Sequence, residues 1–426
     1  MRHERIATAR GFSPERLATL DTTLQRYSDA GLRTGFNAMV LRKGDVVFGK
    51  SYGYRDRASR APMQMDSLFR VFSMTKVITA AAALTLWEQG RFQLNDPVAK
   101  VLPEFQTMTV MANVTETDYD EVPAERPILI RDLLLHTAGL GYVFPYHPKL
   151  DEQVYNLGIG LNRPPGMESY EPTLAEYVAK VAALPLVAQP GSAWHYSFGL
   201  DVLARLVEVI ADQPWQDVLK KRIFQPLGME DTSFVVSDDK RERLTTLSVS
   251  PEIFPPEVFA QFEKDQHGIG HFAGPSADVF VDPLAQPRGG HGLVSTIEDY
   301  AVFLQCLLNG GESRGYRLLG RKTVEFARAN HLTAEQLPFE IVANVAADPR
   351  SRGFGFLGEV LLDPVLKGWS MGSKGEFHWS GYAGTWFSVD PVEDMILLLF
   401  TQYISDQDRF FIWHDFRNGA YQALVD

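Results

Sequence analysis

Ser73-Met-Thr-Lys76-Val-Ile-Thr-Ala-Ala-Ala-Ala-Leu-Thr-Leu-Trp-Glu-Gln89 is apolar nearly all round when wound into a helix, and its Ala80 to Ala83 run lets neighbours approach closely. A helix of that kind belongs at the centre of a fold, not on its surface. At its start, a spacing of three puts the Ser73 hydroxyl and the Lys76 amine on one face, within reach of each other. A serine at a helix N-terminus sits where free backbone N–H groups and the positive dipole end can stabilise an oxyanion. Burial on an apolar helix favours the neutral form of Lys76, which is competent to accept a proton. SxxK alone is a weak pattern, since a capping serine followed by a surface lysine fits it equally well.

Outward from this helix the pattern changes to strands. Ala38 to Arg42 and Val46 to Lys50 flank Lys43-Gly44-Asp45 and read as a β-hairpin, preceded by a surface helix over 14–31 with apolar Leu17, Leu20 and Leu24. Residues 104–284 are rich in Pro and Gly, with helical patterns at Thr173 to Leu184 and Leu200 to Ile210, and read as a mostly helical insert. A further helix runs from about Ile297 to Leu308. Strands close the chain at Phe377 to Tyr382, Thr385 to Val389 and Met395 to Thr401, the last two joined by the turn Asp390-Pro-Val-Glu-Asp394. The expected fold is α+β, of the α/β sandwich type. One antiparallel sheet is built from 1–103 and 285–426, with a mostly helical domain from 104–284 between them in sequence.

Composition narrows the function. The 426 residues carry 41 Lys plus Arg against 53 Asp plus Glu, a net charge of −12, which repels nucleic acid. No stretch approaches the roughly 18 apolar residues of a membrane span, so neither a membrane nor a nucleic acid is an expected partner and a cytoplasmic location is expected. The single cysteine, Cys306, can form no internal disulfide or thiolate cluster and reads as a packing residue. Gly44-Asp-Val-Val-Phe-Gly49-Lys50-Ser51 matches the phosphate-loop pattern, but Val46, Val47 and Phe48 want to be strand where that motif needs a loop. The GxSxG elbow is absent, with near misses at Ser373 and Ser380, and so is the zinc motif HExxH; no metal or other cofactor is expected. His136, after an apolar run, reads as a residue that fixes a helix end, a catalytic base being the lesser alternative.

Partners for Ser73 and Lys76 lie further along. Gln189-Pro-Gly-Ser-Ala-Trp-His-Tyr196-Ser-Phe198 is a turn-rich segment that can present Tyr196 at a helix entrance, where a phenol becomes a usable acid or base if the charge of Lys76 lowers its pKa. Phe377-His-Trp379-Ser380-Gly381-Tyr382 is a strand whose small pair lets backbone come close to a substrate and offer an oxyanion N–H.

These segments in this order resemble the serine β-lactamase and penicillin-binding protein superfamily, and within it the class C-like family VIII carboxylesterases, to which a fungal statin-side-chain acyltransferase is also similar. The resemblance covers most of the chain from about residue 14, and it implies a sheet flanked by helices, a separate helical domain, and the active site in the cleft between them. It implies Ser73 as the acylated nucleophile, Lys76 and Tyr196 as the proton-transfer pair, and the backbone N–H groups of Ser73 and Tyr382 as the oxyanion hole. Trp379, Ser380, Gly381, Phe198 and Trp194 would then line the substrate. Two departures matter: lactamases of this type carry a lysine where Trp379 stands, and usually an asparagine where Phe198 stands. Lys374 is out of register and reads as a surface lysine. The expectation is therefore a serine carboxylesterase acting on small-molecule, short-chain acyl or aryl esters. A β-lactamase, a D-amino-acid peptidase or an acyltransferase of the same superfamily is the alternative, and an acylated sensor that never turns over is a more distant one. Oligomeric state stays open.

Overall fold

The computed structural model describes residues 2–56, 58–142, 146–157, 173–253, 256–260, 262, 264, 269–273, 287–337, 348–368, 371–405 and 408–426. Lys43 and Gly44, both at positive φ (51° and 80°), close a two-residue hairpin between β1 (Gly35–Arg42) and β2 (Asp45–Asp56). Two left-handed residues match the twist of the flanking strands, which makes this a tight turn. The phosphate-loop-like stretch thus lies in a hairpin, as its valines and phenylalanine require. β3 (Ala61–Pro62) extends the hairpin. The rest of the sheet comes from the other end of the chain: β4 (Arg352–Gly355), β5 (Gly358–Leu361), β6 (Phe377–Ser380), β7 (Trp386–Asp390) and β8 (Met395–Thr401). The order is β4-β5-β6-β7-β8-β1-β2-β3, antiparallel throughout, so β1 pairs with β8 from Phe36↔Thr401 to Arg42↔Met395.

Seven helices matter for the site and its support: α1 (Arg2–Ala9), α2 (Pro14–Asp29), α3 (Thr75–Glu88), α4 (Ile130–Leu135), α5 (Gly199–Ala211), α6 (Ile297–Leu308) and α7 (Asp408–Gln422). Alternation along the strands sorts the sheet into two faces. Met39, Leu41, Phe387, Ile396, Leu398 and Phe400 join the large core that contains α3 and α6. Ala38, Val40, Trp386, Leu397 and Leu399 face the other way, onto Leu17, Leu20 and Leu24 of α2 and Ile412, Phe416 and Ala420 of α7. β8 is buried along its whole length, which is why Met395-Ile-Leu-Leu-Leu-Phe-Thr401 is apolar on both faces although the sheet is antiparallel. Each of its leucines contributes about 1.5–3 kcal/mol by burial.

The central helix is apolar on every side because every side is covered: Thr75 to Leu86 are all buried. Cys306 packs on α6, where burial pushes its thiol up to about 11. The insert is less purely helical than its patterning suggests. It contains α4, Pro148–Asn156, Leu174–Ala182 and α5, but also a hairpin of Thr109–Ala112 with Asp120–Pro123. A short strand, Leu247–Val249, pairs in parallel with Tyr403–Ile404 and antiparallel with Gly270–Ala273. These strands have two to four residues each, too short for alternation to stand out in the sequence.

Candidate active site

Ser73 lies in the 3₁₀ turn Phe72–Met74 that leads into α3. The residue before it, Phe72, has φ of 44°, a left-handed conformation that costs a bulky residue about 1–3 kcal/mol and persists only where the surroundings enforce it. The enforcement is visible. The Phe72 ring is buried in a small cluster with Leu247, Val249, Ala383 and Ile404 and meets the Tyr382 ring edge-on at 6.1 Å. Lys76 is 4% exposed, and three oxygens surround its Nζ: it donates to Gly290 O at 2.7 Å, Ser73 Oγ at 3.2 Å and Tyr142 Oη at 3.5 Å. The three-residue spacing places the two side chains as the sequence reading expects.

Tyr196 is held from behind by His136, which occupies the left-handed position ending α4 (φ 56°). His136 O accepts the His195 N–H at 2.8 Å, and His136 Nδ1 accepts the Ser197 N–H at 3.2 Å and lies 3.0 Å from Ser197 Oγ. Burial, reinforced by the charge of Lys76, holds the His136 pKa well below its usual 6.5. It is thus a neutral ring that fixes the end of α4 and the 195–197 segment. The Tyr196 ring is enclosed by His136 (4.7 Å), Tyr142 (5.0 Å), Trp379 (5.7 Å) and Trp194 (6.0 Å), and Lys76 Nζ lies 4.7 Å from its centroid. The expected lowering of this phenol does not occur. Burial raises its pKa, and contacts with the Ser73 hydroxyl and the Trp379 indole only partly oppose the rise. The enclosing rings strip a phenolate of water, so Tyr196 rests as a phenol bonded to Ser73. Trp379 Nε1 is buried and makes no well-formed hydrogen bond, although the indole is near enough to act on Tyr196.

Trp379 projects from β6 onto Phe354 (5.3 Å), which Trp194 also meets (5.4 Å). Together with Val77, Leu134, Leu357 and Lys76, Phe354 and Trp379 line a small hollow. Beyond Ser380 the chain must be glycine: a Cβ on Gly381 would lie 2.2 Å from Thr385 Oγ1 and 2.6 Å from Val71 O. That close approach brings Tyr382 beside Phe72. Phe198 is 2% exposed and sits behind Tyr142 (5.1 Å) and against Tyr177 (6.1 Å), within the core. Lys374 is exposed. The structure therefore brings Ser73, Lys76, Tyr196, Trp194 and Trp379 together, sets Tyr382 next to the turn that carries Ser73, and places Phe198 one layer back.

Three participants were not singled out in the sequence. Tyr142 reaches Lys76 from an irregular segment. Gly289-Gly290 lays its carbonyls on α3: Thr79 Oγ1 donates to Gly289 O at 2.7 Å, and Gly290 O takes the short bond from Lys76. Asp201, 1% exposed in the first turn of α5, accepts the Gly290 N–H at 2.8 Å. Only the glycine pair left a trace in the sequence. Among the described residues no group of three or more His, Cys, Asp or Glu side chains is arranged to hold a metal ion, and no helix is long and apolar enough to cross a membrane.

An antiparallel sheet between helices, with a serine and a lysine one turn apart at the start of the central helix and a tyrosine against both, is the architecture of the serine β-lactamase superfamily. The beta-lactamase family model matches residues 20–414, and the chain belongs to that family. Protein Rv1367c of Mycobacterium tuberculosis is 34% identical over 90% of this chain and 89% of its own. Esterase EstB of Burkholderia gladioli is 32% identical over 90% of this chain and 91% of its own. Among solved structures, EstCE1, a hydrolase with promiscuous acyltransferase activity, matches with a TM-score of 0.74 and 26% identity over 96% of this chain and 99% of that one. The chain is a serine hydrolase of the β-lactamase superfamily, related to its esterases.

Proposed function

We propose that this protein is a serine carboxylesterase that hydrolyses short-chain acyl or aryl esters through an acyl-Ser73 intermediate. The observation that carries the reading is the contact of Ser73 Oγ with both Lys76 Nζ (3.2 Å) and the Tyr196 phenol. Ser73 Oγ attacks the ester carbonyl while its proton passes, through the Tyr196 hydroxyl, to Lys76 in its free-base form. The tetrahedral oxyanion is stabilised by the Ser73 and Tyr382 backbone N–H groups. On collapse the C–O bond to the alcohol breaks, and the alkoxide takes the proton back from the pair. Water then attacks the acyl-enzyme with the same pair as base, releasing the acid and restoring Ser73. Because burial keeps Tyr196 protonated, it serves as a relay and not as a resting phenolate.

The setting belongs to the same proposal: Ser73, Lys76 and Trp379 come from the sheet-containing part, 1–103 with 285–426, and Tyr196 and Trp194 from the mostly helical part, 104–284. The choice of esters rests on Trp379. A desolvated lactam carboxylate finds an indole there and no cation, whereas a neutral ester loses nothing. Acyl transfer to an alcohol in place of water is the second reading, favoured by the likeness to EstCE1.

The test sets nitrophenyl esters, a chromogenic cephalosporin and a D-Ala-D-Ala peptide side by side, for wild type and for Ser73→Ala and Trp379→Lys. Esters should lead by orders of magnitude in kcat/KM, Ser73→Ala should be inert and take up no serine-directed phosphonate, and Trp379→Lys should shift the ratio toward the cephalosporin. A wild-type preference for the cephalosporin would overturn the esterase reading.

A further inference from the structure

Asp201 is a buried acid that the reaction just described does not use. Its carboxylate Oδ1 accepts the Gly290 N–H at 2.8 Å, and the Gly289 N–H also bonds to it. The far side of this glycine pair faces α3, where Gly290 O accepts from Lys76 Nζ at 2.7 Å and Gly289 O from Thr79 Oγ1 at 2.7 Å. The fit leaves no slack. A Cβ on Gly289 would lie 2.0 Å from Leu200 O, and one on Gly290 would lie 2.5 Å from Asp201 Oδ2. Burial raises the Asp201 carboxyl, and Lys76, Arg288 and the two glycine N–H groups oppose the rise by favouring the carboxylate; the Arg288 guanidinium is stacked 3.8 Å over the Tyr177 ring. The other titratable groups around Lys76 and Asp201 are Tyr142, Tyr196 and the neutral His136.

We propose that Asp201 is a positioning residue of the acyl-transfer site: through the peptide groups of Gly290 it fixes Lys76 beside Ser73, and its charge balances that of Lys76 inside the core. The proposal rests on reading Ser73 as the nucleophile and Lys76 as part of its proton path. A buried cation without a counter-charge is costly, and a carboxylate that reaches it through a peptide, not directly, neutralises it without taking up the amine that must face the serine. The field of Asp201 also acts on Tyr142 and Tyr196, raising both phenols. Loss of that negative charge therefore favours the proton-accepting state of the whole cluster, and loss of the positive charge on Arg288 opposes it.

Asp201→Asn keeps the size and one acceptor for Gly290 while deleting the charge. The measurement is the pH profile of kcat and kcat/KM on a short nitrophenyl ester for wild type, Asp201→Asn and Arg288→Gln. Melting curves and phosphonate labelling of Ser73 accompany it. In Asp201→Asn, kcat should fall about 10–100-fold with KM little changed, and the acid limb of the profile should move to lower pH by about one unit. In Arg288→Gln the limb should move to higher pH. Opposite shifts are what a purely structural role cannot produce. A folded Asp201→Asn with the wild-type limb, or two variants moving the limb the same way, would overturn the proposal. If Asp201→Asn does not fold, Arg288→Gln decides alone, and an unmoved or lowered limb overturns it. Failure of the nucleophile assignment is read separately: labelling that persists in Ser73→Ala removes the basis of both readings, whereas labelling confined to Ser73 with an unmoved limb strikes Asp201 only.

Discussion

Lys76 and Tyr196 each touch Ser73 and lie 4.7 Å apart, amine to ring centroid, which is the geometry the proposed single proton path requires. Tyr196→Phe and Lys76→Ala should each lower kcat by about 10²-fold or more, and the double variant should be little worse than either single one. A fully active Tyr196→Phe would move the mechanism elsewhere. His136 makes a different prediction, in stability. It is held neutral in the fold while an unfolded chain takes up a proton near pH 6.5. The unfolded state thus binds more protons below that value, and stability falls as pH drops through and below it, until the folded ring itself protonates. The slope from one such group is about 1.4 kcal/mol per pH unit. Urea titrations of wild type and His136→Gln between about pH 7 and pH 4.5 should show a shallower acid loss in the variant; parallel losses would mean that the ring is charged in the fold.

At the scale of elements, what was legible depended on locality. The placement of Ser73, Lys76 and Tyr196 could be read because it is set by near neighbours: a spacing of three on one helix, and a turn before another. β8 and the turn after β7 could be read from an apolar run and Asp390-Pro391. β4 and β5 could not, because Arg352-Gly-Phe-Gly-Phe-Leu-Gly358 punctuates its strands with glycine, and their pairing is fixed by the approach of β6. Asp201 was hidden by a bland explanation, since an acid in a first helical turn suits the helix dipole anywhere. Gly289-Gly290 stands in the sequence as a bare glycine pair, and what requires it lies far off in the chain. That requirement, contact with α5, predicts that Gly289→Ala will destabilise the fold by about 1–3 kcal/mol through overpacking and will disturb Lys76 at the same time. Denaturant melts and ester kinetics on this variant should fall together; intact stability would mean that α5 and the Gly289-Gly290 segment can move apart.

The molecule as a whole is joined by charge as well as by apolar packing. Glu376, fully buried just before β6, is bonded to Arg417 on α7 at 2.5 Å and to Ser388 on β7, and Tyr421 lies beside it. Burial raises the Glu376 carboxyl even with Arg417 present. Arg417→Met should therefore cost about 3–5 kcal/mol by stranding a buried acid. In that variant the folded state keeps its proton above the pH, near 4.5, at which the unfolded chain releases it. The deficit should thus be larger at about pH 8 than at about pH 5, as paired denaturation curves would show. A deficit independent of pH would assign the loss to packing. The pairing of β1 with β8 also has a consequence for how the protein is made. Residues 35–42 leave the ribosome early and find no partner on that side until residues 395–401 follow. The helix that presents Ser73 meanwhile has no completed sheet to lie on, and Trp379 and Tyr382 do not yet exist. Synthesis from the N-terminus therefore leaves Ser73 without β6, Trp379 and Tyr382 for most of translation, and on the proposed mechanism the site is complete only once the C-terminal strands have been made.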